Sequence, residues 1–482
     1  MEAMDKISDL PTFILHRILS FLPREDAART SVLSKRWDCV WDSFPIFKFD
    51  QNRFIKPKRG SSTPEHVEQV GRWIELVLDN GVRELKLKVS IAWKPYALPG
   101  ETFHGKSVNG AYSKFYSLQT LKLEKVYITE NTIRDIIHNC GNITWFALGS
   151  CRGLKGLDIS NLDKLERVDV SFENVCELER VNIDAPNLKS FRLESLKPYL
   201  PTKLNLTSCH DLKKLTLIRC GITDDILHLH LSRFPLLEFL EICDCHMLRR
   251  IRISAQRLRC LHFGGRDKIE MIEIDAPTLS SFRYTAYNIS APLLFLRNVP
   301  CLMGIVYMFD QYNVLNSSWF LNLREFLGVP TQRKFFWLNF EANEVSFDLE
   351  ELGELAIPPV IEVENLKLTY NVMRESIDFA SLIDGLLWSC HPKTIYITSD
   401  STFRRKCMKV LGEKLLDRER TTCCDSCHVK CWRHDLKGAK IEIFQRTKRE
   451  DEPRLVYWDH LSDHALQLLR EYDEVRFELA WK

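Results

Sequence analysis

Thiol and imidazole side chains cluster near the C-terminal part of the chain in a pattern that could hold a metal. Cys424 and Cys427 are separated by two residues, a spacing that lets both thiolates face one zinc ion. Cys431 and His434 follow after only three intervening residues, whereas structural zinc modules usually separate their pairs by about a dozen. This short spacing favours a cysteine-bearing loop over the alternative of a zinc module. The sequence therefore predicts no metal site and no cofactor.

Other residue patterns give even less indication of a metal site or a catalytic site. His228 and His230 alternate with leucines on a strand-like or short helical segment without a nearby third donor, so we interpret them as polar surface positions. The sequence contains no phosphate-binding loop, nucleophile elbow or His-Glu-x-x-His motif. It also contains no RING-like or catalytic-cysteine ligase pattern. We expect a protein that is not an enzyme.

The amino-acid composition and charge indicate which kinds of partner and which cell compartment to expect. The chain has 482 residues, 45% of them hydrophobic, and a formal net charge of +2, which argues against coating nucleic acid or membrane by charge alone. Residues 401–449 carry fourteen Lys/Arg against six Asp/Glu, but a solvated face is the common outcome of such a run. No signal-like or membrane-spanning apolar run is present, and the sixteen cysteines are interpreted as reduced thiols. We expect an intracellular protein, in the nucleus or the cytoplasm or both, with no nucleic-acid or membrane partner.

The first fifty residues are typical of short helices. Apolar residues recur at three- and four-residue spacing from Ile14 to Leu22, and Pro23 then interrupts the helix. A second apolar stripe contains Val32 and Leu33, and Trp37 follows it. Because so small a unit buries little by itself, its apolar patches predict a partner that completes the core.

The order of these residues resembles the F-box motif of plant F-box proteins. The resemblance is carried by Leu10-Pro11, Ile14-Leu15, Ile18-Leu19, Leu22-Pro23 and the ending Leu33-Ser34-Lys35-Arg36-Trp37. It implies docking onto a Skp-type adaptor and, through it, onto a cullin and a RING subunit. The residues expected to contact the adaptor are Leu10, Pro11, Ile14, Leu15, Ile18, Leu19, Leu22, Pro23, Val32, Leu33 and Trp37.

One spacing then recurs along the chain. After a polar loop, Thr63-Pro64 predicts a helix start and Asn80-Gly81 its end. The motif Leu-x-x-Leu-x-Leu, or its apolar variants, follows at intervals of 25, 22, 23, 24, 25, 21 and 21 residues, within the leucine-rich-repeat range. Its first positions are Leu118, Ile143, Leu165, Leu188, Leu212, Leu237, Leu258 and Leu279. Such coils stack to bury a continuous core, which predicts a solenoid.

Secondary features support the repeats. A second series midway between the motifs, such as Leu154/Leu157/Ile159, predicts short return strands or turns instead of full helices. Cys151, Cys209, Cys220 and Cys245 occupy the Asn/Cys position of the repeat, which indicates packing roles. Beyond residue 300 the repeat is degenerate, and we expect further coils at Leu323-x-x-Phe326, Val363-x-x-Leu366-x-Leu368 and Pro392-x-x-Ile395-x-Ile397. Residues 440–444 and 475–479 are expected to form closing strands.

The Ala-Pro-x-Leu turns, such as Ala185-Pro186-Asn187-Leu188, resemble those of plant F-box/leucine-rich-repeat proteins. The expected fold class is α/β: a small all-helical N-terminal F-box, then a leucine-rich-repeat solenoid with a C-terminal cap. The expected domains are the F-box at 5–49, a linker and connecting helix at 50–81, the solenoid at 82–400 and the capping region at 401–482.

The resemblance implies a non-catalytic substrate-recognition subunit of an SCF-type (Skp, cullin, F-box) ubiquitin ligase. Its repeats would bind a target protein whose identity the sequence does not give. The alternative is an interaction scaffold that binds the adaptor without delivering substrates for ubiquitylation.

The target surface is predicted from strand alternation. The residue between the last two apolar positions of each motif points away from the core, so stacked coils would form one row on the concave surface. From this row, the side chains proposed to contact the target are Arg192, Glu241, His262 and Arg283.

Overall fold

The structure is a computed structural model of the chain. It describes residues 7–22, 24–50, 70, 74–75, 77–88, 96–98, 107–108, 111–112, 115–172, 178–195, 201–265, 269–286, 293–299, 302–309, 314–328, 333–341, 344–353, 356–370, 377–397, 401–416, 429–444, 454–457 and 474–482. The chain divides into two compact units. The first contains Met1–Ile222 and Arg233–Pro235, and the second contains Thr223–Ser232 and Leu236–Lys482.

Short helices open the first unit. They are α1 (Thr12–Phe21), α2 (Arg24–Arg29), a 3-10 turn (Thr30–Val32) and α3 (Lys35–Asp42). The α3 helix begins after Ser34, whose hydroxyl accepts a hydrogen bond from the backbone N–H of Trp37. The helices enclose a small core whose buried members are Leu15, Leu19, Ala27, Trp37 and Val40.

A further helix of the first unit connects the N-terminal helices to the strands that follow. Its described residues are 70, 74–75 and 77–79, and it ends where Gly81 adopts a φ of +77°. The Gly81 N–H donates to the carbonyl of Leu78, and the Val82 N–H donates to that of Val77. This pair of bonds is a Schellman ending, which confirms the stop predicted from Asn80-Gly81. The predicted start at Thr63-Pro64 lies outside the described residues.

Strands make up the rest of the first unit. They are β1 (Ile46–Asp50), β2 (Glu84–Lys88), β3 (Tyr96–Ala97), β4 (Ser107–Val108), β5 (Ala111–Tyr112), β6 (Thr120–Glu124), β7 (Val126–Tyr127), β8 (Trp145–Gly149), β9 (Gly156–Ile159), β10 (Arg167–Ser171), β11 (Arg180–Ile183), β12 (Ser190–Glu194), β13 (Lys203–Asn205) and β14 (Lys214–Ile218). A further helix, α4 (Glu130–Asn139), lies between β7 and β8.

The predicted motifs coincide with the strands of one parallel sheet. The order β1-β2-β6-β8-β10-β12-β14 is parallel throughout, and equivalent motif positions pair directly, as Leu121 does with Phe146 and Val168 with Phe191. Because strand side chains alternate, the two apolar positions of each motif are buried while the residue between them lies on the other face. We call this second face the open face. It carries the residues that flank and separate the buried positions.

The second series also forms strands, in agreement with the sequence prediction. Strands β9, β11 and β13 pair in parallel as a separate three-stranded sheet. The coil after β6 lacks a second-series motif, and there the return segment contains helix α4 instead. The α4 helix begins after Thr129, whose hydroxyl accepts a hydrogen bond from the N–H of Thr132.

The second unit repeats this plan. Its strands are β15 (Phe239–Cys243), β16 (Arg250–Ser254), β17 (Cys260–Gly265), β18 (Met271–Asp275), β19 (Ser281–Ala286), β20 (Leu293–Arg297), β21 (Leu302–Phe309), β22 (Val314–Leu315), β23 (Arg333–Glu341), β24 (Glu344–Val345), β25 (Glu362–Tyr370), β26 (His391–Ile397), β27 (Leu436–Phe444), β28 (Arg454–Tyr457) and β29 (Glu474–Trp481). Its helices are α5 (Asp224–Leu231), α6 (Ser317–Leu327), α7 (Phe379–Ser389) and α8 (Ser401–Leu416). Further 3-10 turns span Glu350–Leu352 and Trp432–His434.

The strands of the second unit change direction near the C-terminus. From β15 the parallel order is β17, β19, β21, β23, β25 and β26, after which β29 pairs antiparallel with β26, β27 with β29, and β28 with β27. The two predicted closing strands are therefore β27 and β29. The Trp481 indole N–H donates to the carbonyl of Pro392 at 2.8 Å, and its ring stacks on His391.

Two sequence predictions were wrong in this unit. Leu323 and Phe326 lie in helix α6 and not in a repeat strand, because their three-residue spacing also suits one face of a helix. His228 and His230 lie on helix α5, where residues two apart point to different sides. His228 is exposed, as predicted, but His230 is 2% exposed and is not a surface position.

The packing of α6 against α7 yields a stability test. An ideal Cβ at Gly385 would lie 2.5 Å from the ring of Phe320, which is fully buried. We expect Gly385→Ala to lower the free energy of unfolding by about 1–2 kcal/mol, because overpacking outweighs the gain in helix propensity. Denaturant unfolding measures the change. A Gly141→Ala variant is the control, since a Cβ there meets nothing within 4 Å. Equal stability of the two variants would contradict this packing.

Candidate functional site

Several large apolar side chains of the N-terminal helices are not used by their own core. Phe13 is 69% exposed, Phe21 78%, Val32 84% and Leu33 67%. A partner that covered these side chains would remove a large apolar area from water. We call these four residues the F-box patch.

The predicted adaptor-contacting residues divide into three groups. Leu15, Leu19 and Trp37 are buried in the core of the helices, so they support the surface and do not form it. Leu10, Ile14 and Ile18 are half-buried, whereas Pro11, Leu22, Val32 and Leu33 are exposed. Pro23 lies outside the described residues. Phe13 and Phe21, which the sequence prediction did not include, are also exposed apolar side chains of α1.

A charged and aromatic cluster occupies the open face of the first unit. The Lys122 ammonium lies 3.0 Å from the centre of the Trp145 ring, and the Trp145 indole N–H donates to Asp169 at 2.7 Å. Burial, together with the charge of Lys86, lowers the pKa of Lys122 from 10.5 to about 8. The cluster arises because β6, β8 and β10 are adjacent and in register. Its composition suits a partner that offers both charge and a planar or apolar surface.

Arg192 also lies on the open face of the first unit. Its guanidinium donates to Glu194 at 2.7 Å, and Arg219 contacts the other oxygen of the same carboxylate. Burial would raise the pKa of Glu194, but the hydrogen bonds and charges of the two arginines hold that pKa below its ordinary value. Thr216, a further member of the predicted row, is fully buried and does not face solvent.

The other three predicted target-binding residues come together in the second unit. Glu241 pairs with His262, and His262 pairs with Arg283, on the neighbouring strands β15, β17 and β19. The imidazole Nδ1 of His262 lies 3.0 Å from Oε1 of Glu241. All three side chains are half-buried. The structure thus brings together in one unit three residues separated by about twenty positions in the sequence.

The same register continues through strands that the sequence analysis missed. Arg283 pairs with Ile305, then Trp337 and Lys367 follow on β23 and β25. The Lys367 ammonium lies 4.4 Å from the centre of the Trp337 ring. The Phe336-x-Leu338 spacing was the available signal for β23, but the long segments between strands concealed its period.

The cysteines separate into two groups. Cys151 and Cys209 are buried, and burial raises the pKa of Cys151 to about 12 and that of Cys209 to about 11, which suits packing and not nucleophilic chemistry. Of the four residues considered for zinc, Cys424 and Cys427 lie outside the described residues. Cys431 is half-buried and precedes the 3-10 turn that ends at His434.

Comparisons with known proteins agree with this layout. A model of the F-box domain matches residues 7–49, and a model described as the At1g61320/AtMIF1 leucine-rich-repeat domain matches residues 55–208 and 199–303. Neither describes an enzyme. Within the described residues, no helix has the length and apolarity required to cross a membrane.

The relatives come from Arabidopsis thaliana. F-box/LRR-repeat protein At3g03360 is 24% identical over 343 residues, 62% of this chain and 70% of the relative. F-box/FBD/LRR-repeat protein At5g56420 is 26% identical over 335 residues, 53% of this chain and 76% of the relative. F-box/LRR-repeat protein At3g59250 is 42% identical over 105 residues, 22% of this chain and 24% of the relative.

The chain has N-terminal helices with an F-box pattern, and these are followed by repeats that each contribute a parallel strand. This arrangement is that of the F-box and leucine-rich-repeat class of proteins. The chain belongs to the plant F-box/leucine-rich-repeat family, as the two matching models and the relatives show. The resemblance stated from the sequence is confirmed.

The lowered pKa of Lys122 predicts unusual reactivity. At about pH 7.5, roughly a quarter of the Lys122 side chains would be neutral, against about a thousandth for a lysine with a pKa of 10.5. Since only the neutral amine acylates, we expect Lys122 to react with an N-hydroxysuccinimide ester well before Lys189, whose side chain is half exposed in an ion pair with Glu166. Peptide mass spectrometry of the briefly labelled protein measures both. Faster labelling of Lys189 would contradict the described environment of Lys122.

Proposed function

We propose that the protein is the substrate-recognition subunit of an SCF-type ubiquitin ligase complex. Its F-box domain would dock on a Skp-type adaptor and, through the adaptor, on the cullin and RING subunits. The observation that carries this proposal is an F-box domain whose exposed Val32 and Leu33 are left out of its own core. Such side chains gain hydrophobic stabilisation when a partner covers them.

The proposed mechanism requires no catalytic residue in this chain. The repeats would stack as a solenoid and hold a target protein on the open face of their sheets. Target lysines would then be presented at high effective concentration to a thioester carried by another subunit. We place this activity in the nucleus or the cytoplasm, where thiols remain reduced.

The adaptor contact can be tested on the F-box patch. We expect the double variant Val32→Glu, Leu33→Glu to reduce adaptor co-purification by more than about tenfold, because a carboxylate buried without a partner costs several kcal/mol. The fold should survive, since the two side chains are 84% and 67% exposed. Circular dichroism and thermal unfolding check this. Leu15→Glu with Leu19→Glu is not a suitable test, because these residues form the core and the variant would unfold the F-box.

Leu229→Glu is the matched control for this experiment. It also places a carboxylate on an exposed leucine, but on α5 of the repeats, and adaptor recovery should be unchanged. Adaptor recovery equal to wild type in the Val32, Leu33 variant would reject the proposed contact. If the adaptor is recovered without cullin, the scaffold alternative is favoured over substrate delivery.

The target surface has a separate test. Arg192→Ala with Arg283→Ala should lower target recovery by about tenfold or more, because arginine is enriched in binding hot spots. Unfolding free energy should fall by no more than about 1 kcal/mol, since both are half-buried positions outside the core. Proximity labelling in cells with the proteasome inhibited measures recovery.

Arg180→Ala with Arg252→Ala is the control, because these arginines lie on the second-series strands and removing them changes the net charge equally. If target recovery is unchanged in the Arg192, Arg283 variant but is abolished by substitutions in the basic segment 401–449, the receptor surface lies on the C-terminal region instead.

A further inference from the structure

Three side chains with metal-binding atoms converge on the open face of the second unit. They are Glu241 and Cys243 on β15 and His262 on β17. Glu241 and Cys243 are two positions apart in one strand, so they share a face, and the parallel register places His262 directly opposite Glu241. One donor atom from each lies within 4.8 Å of the other two.

The spacing of these atoms is close to that of a coordination sphere. Tetrahedral zinc with ordinary bond lengths requires donor atoms about 3.4–3.6 Å apart. His262 Nδ1 and Glu241 Oε1 are already 3.0 Å apart. Side-chain rotations that move the Cys243 sulfur by about 1 Å would bring it to this distance from the other two donor atoms. No change in the backbone is needed, because the strand ladder already holds the three Cα positions.

A glycine lies directly beside the Cys243 thiol. Gly264 pairs with Cys243 across the ladder, and an ideal Cβ there would lie 3.3 Å from the Cys243 sulfur and 3.1 Å from Cβ of Thr285. Any larger residue at this position would cover the sulfur. The glycine thus allows the Cys243 sulfur and the side chain of Thr285 to lie close to the backbone of β17.

A second contact orients the imidazole for a ligand role. Nε2 of His262 lies 3.5 Å from the hydroxyl oxygen of Thr285, on β19. Metal-binding histidines characteristically use their other ring nitrogen in this way. The ionised carboxylate of Glu241 can only accept a hydrogen bond, so Nδ1–H donates to it in the metal-free protein, and a bound metal would replace that proton.

The charges around the three residues permit a divalent cation. Arg283 is the cross-strand neighbour of His262 and contributes one positive charge. Glu241 and a metal-bound Cys243 thiolate would contribute two negative charges. Asp244 follows Cys243 directly, and one of its carboxylate oxygens is buried without a hydrogen-bond partner among the described residues. The local negative charge therefore exceeds that of the single arginine.

We propose that Glu241, Cys243 and His262 form a three-ligand site for zinc or a similar divalent transition metal. Thiolate and imidazole ligands select such ions over magnesium or calcium. The ion would join the strands of two consecutive coils and leave a fourth position towards the open face. The sequence predicted no metal site because local spacing indicates only ligands that are close together in the chain, whereas Glu241 and His262 lie on different strands. The proposal does not depend on adaptor docking or on target binding.

Cobalt binding to the full-length protein tests the site. Metal-free protein is titrated with Co²⁺, whose visible bands report tetrahedral geometry and whose near-ultraviolet charge-transfer band reports a thiolate ligand. All variants are made in a Cys424→Ser, Cys427→Ser background, so that the C-terminal cysteine cluster cannot supply the signal. We expect the background protein to bind one equivalent with a thiolate band, and Zn²⁺ to displace the cobalt.

Substitutions then assign the ligands. Cys243→Ser should abolish the charge-transfer band, and His262→Gln should weaken cobalt binding by more than about tenfold. Cys260→Ser is the matched control, since Cys260 is also a half-buried thiol on the open face of β17, and its spectrum should match the background. The proposal is overturned if the background protein binds no cobalt, or if the thiolate band survives in Cys243→Ser. Because His262→Gln retains the thiol, unchanged affinity in that variant would also reject the site even if Cys243→Ser failed to fold.

Discussion

The parallel, in-register pairing of successive coils is the interaction on which the rest of the structure depends. A five-residue strand such as β12 has two unsatisfied edges and only two apolar side chains, so it has little stability by itself. Pairing with β10 and β14 satisfies both edges and stacks Phe191 between Val168 and Leu215. Each coil is therefore stable only because its neighbours are present, which is the basis of repeat-protein stability.

The same pairing creates the open face. Once Leu-x-Leu positions are fixed in the core, the intervening residues of consecutive coils must lie beside one another. Lys122 meets Trp145 and Asp169 for this reason, and Glu241 meets His262. Residues remote in sequence are thus concentrated in rows, and the chemistry of a row can change without disturbing the buried positions.

In the N-terminal helices, some apolar residues form the core and others remain exposed. Their sequence contains more apolar residues than so small a core can enclose, so Leu15, Leu19 and Trp37 are buried while Val32 and Leu33 remain exposed. Periodicity identifies both sets as apolar but does not tell them apart. The helices must be packed before it is known which side of each faces solvent.

The sequence by itself determined the family, the position of the F-box and the strands of residues 118–284, because strong periodicity encodes local geometry directly. It did not determine helix α6 or strands β21 and β23, where long intervening segments conceal the period. It also misplaced His230, since a two-residue alternation fits a strand and a short helix alike. Only the tertiary structure decided which apolar residues of the F-box are exposed, and that Cys243 joins Glu241 and His262. Both outcomes depend on contacts between segments that are distant in the chain. A local sequence pattern does not specify which distant segments will pack together.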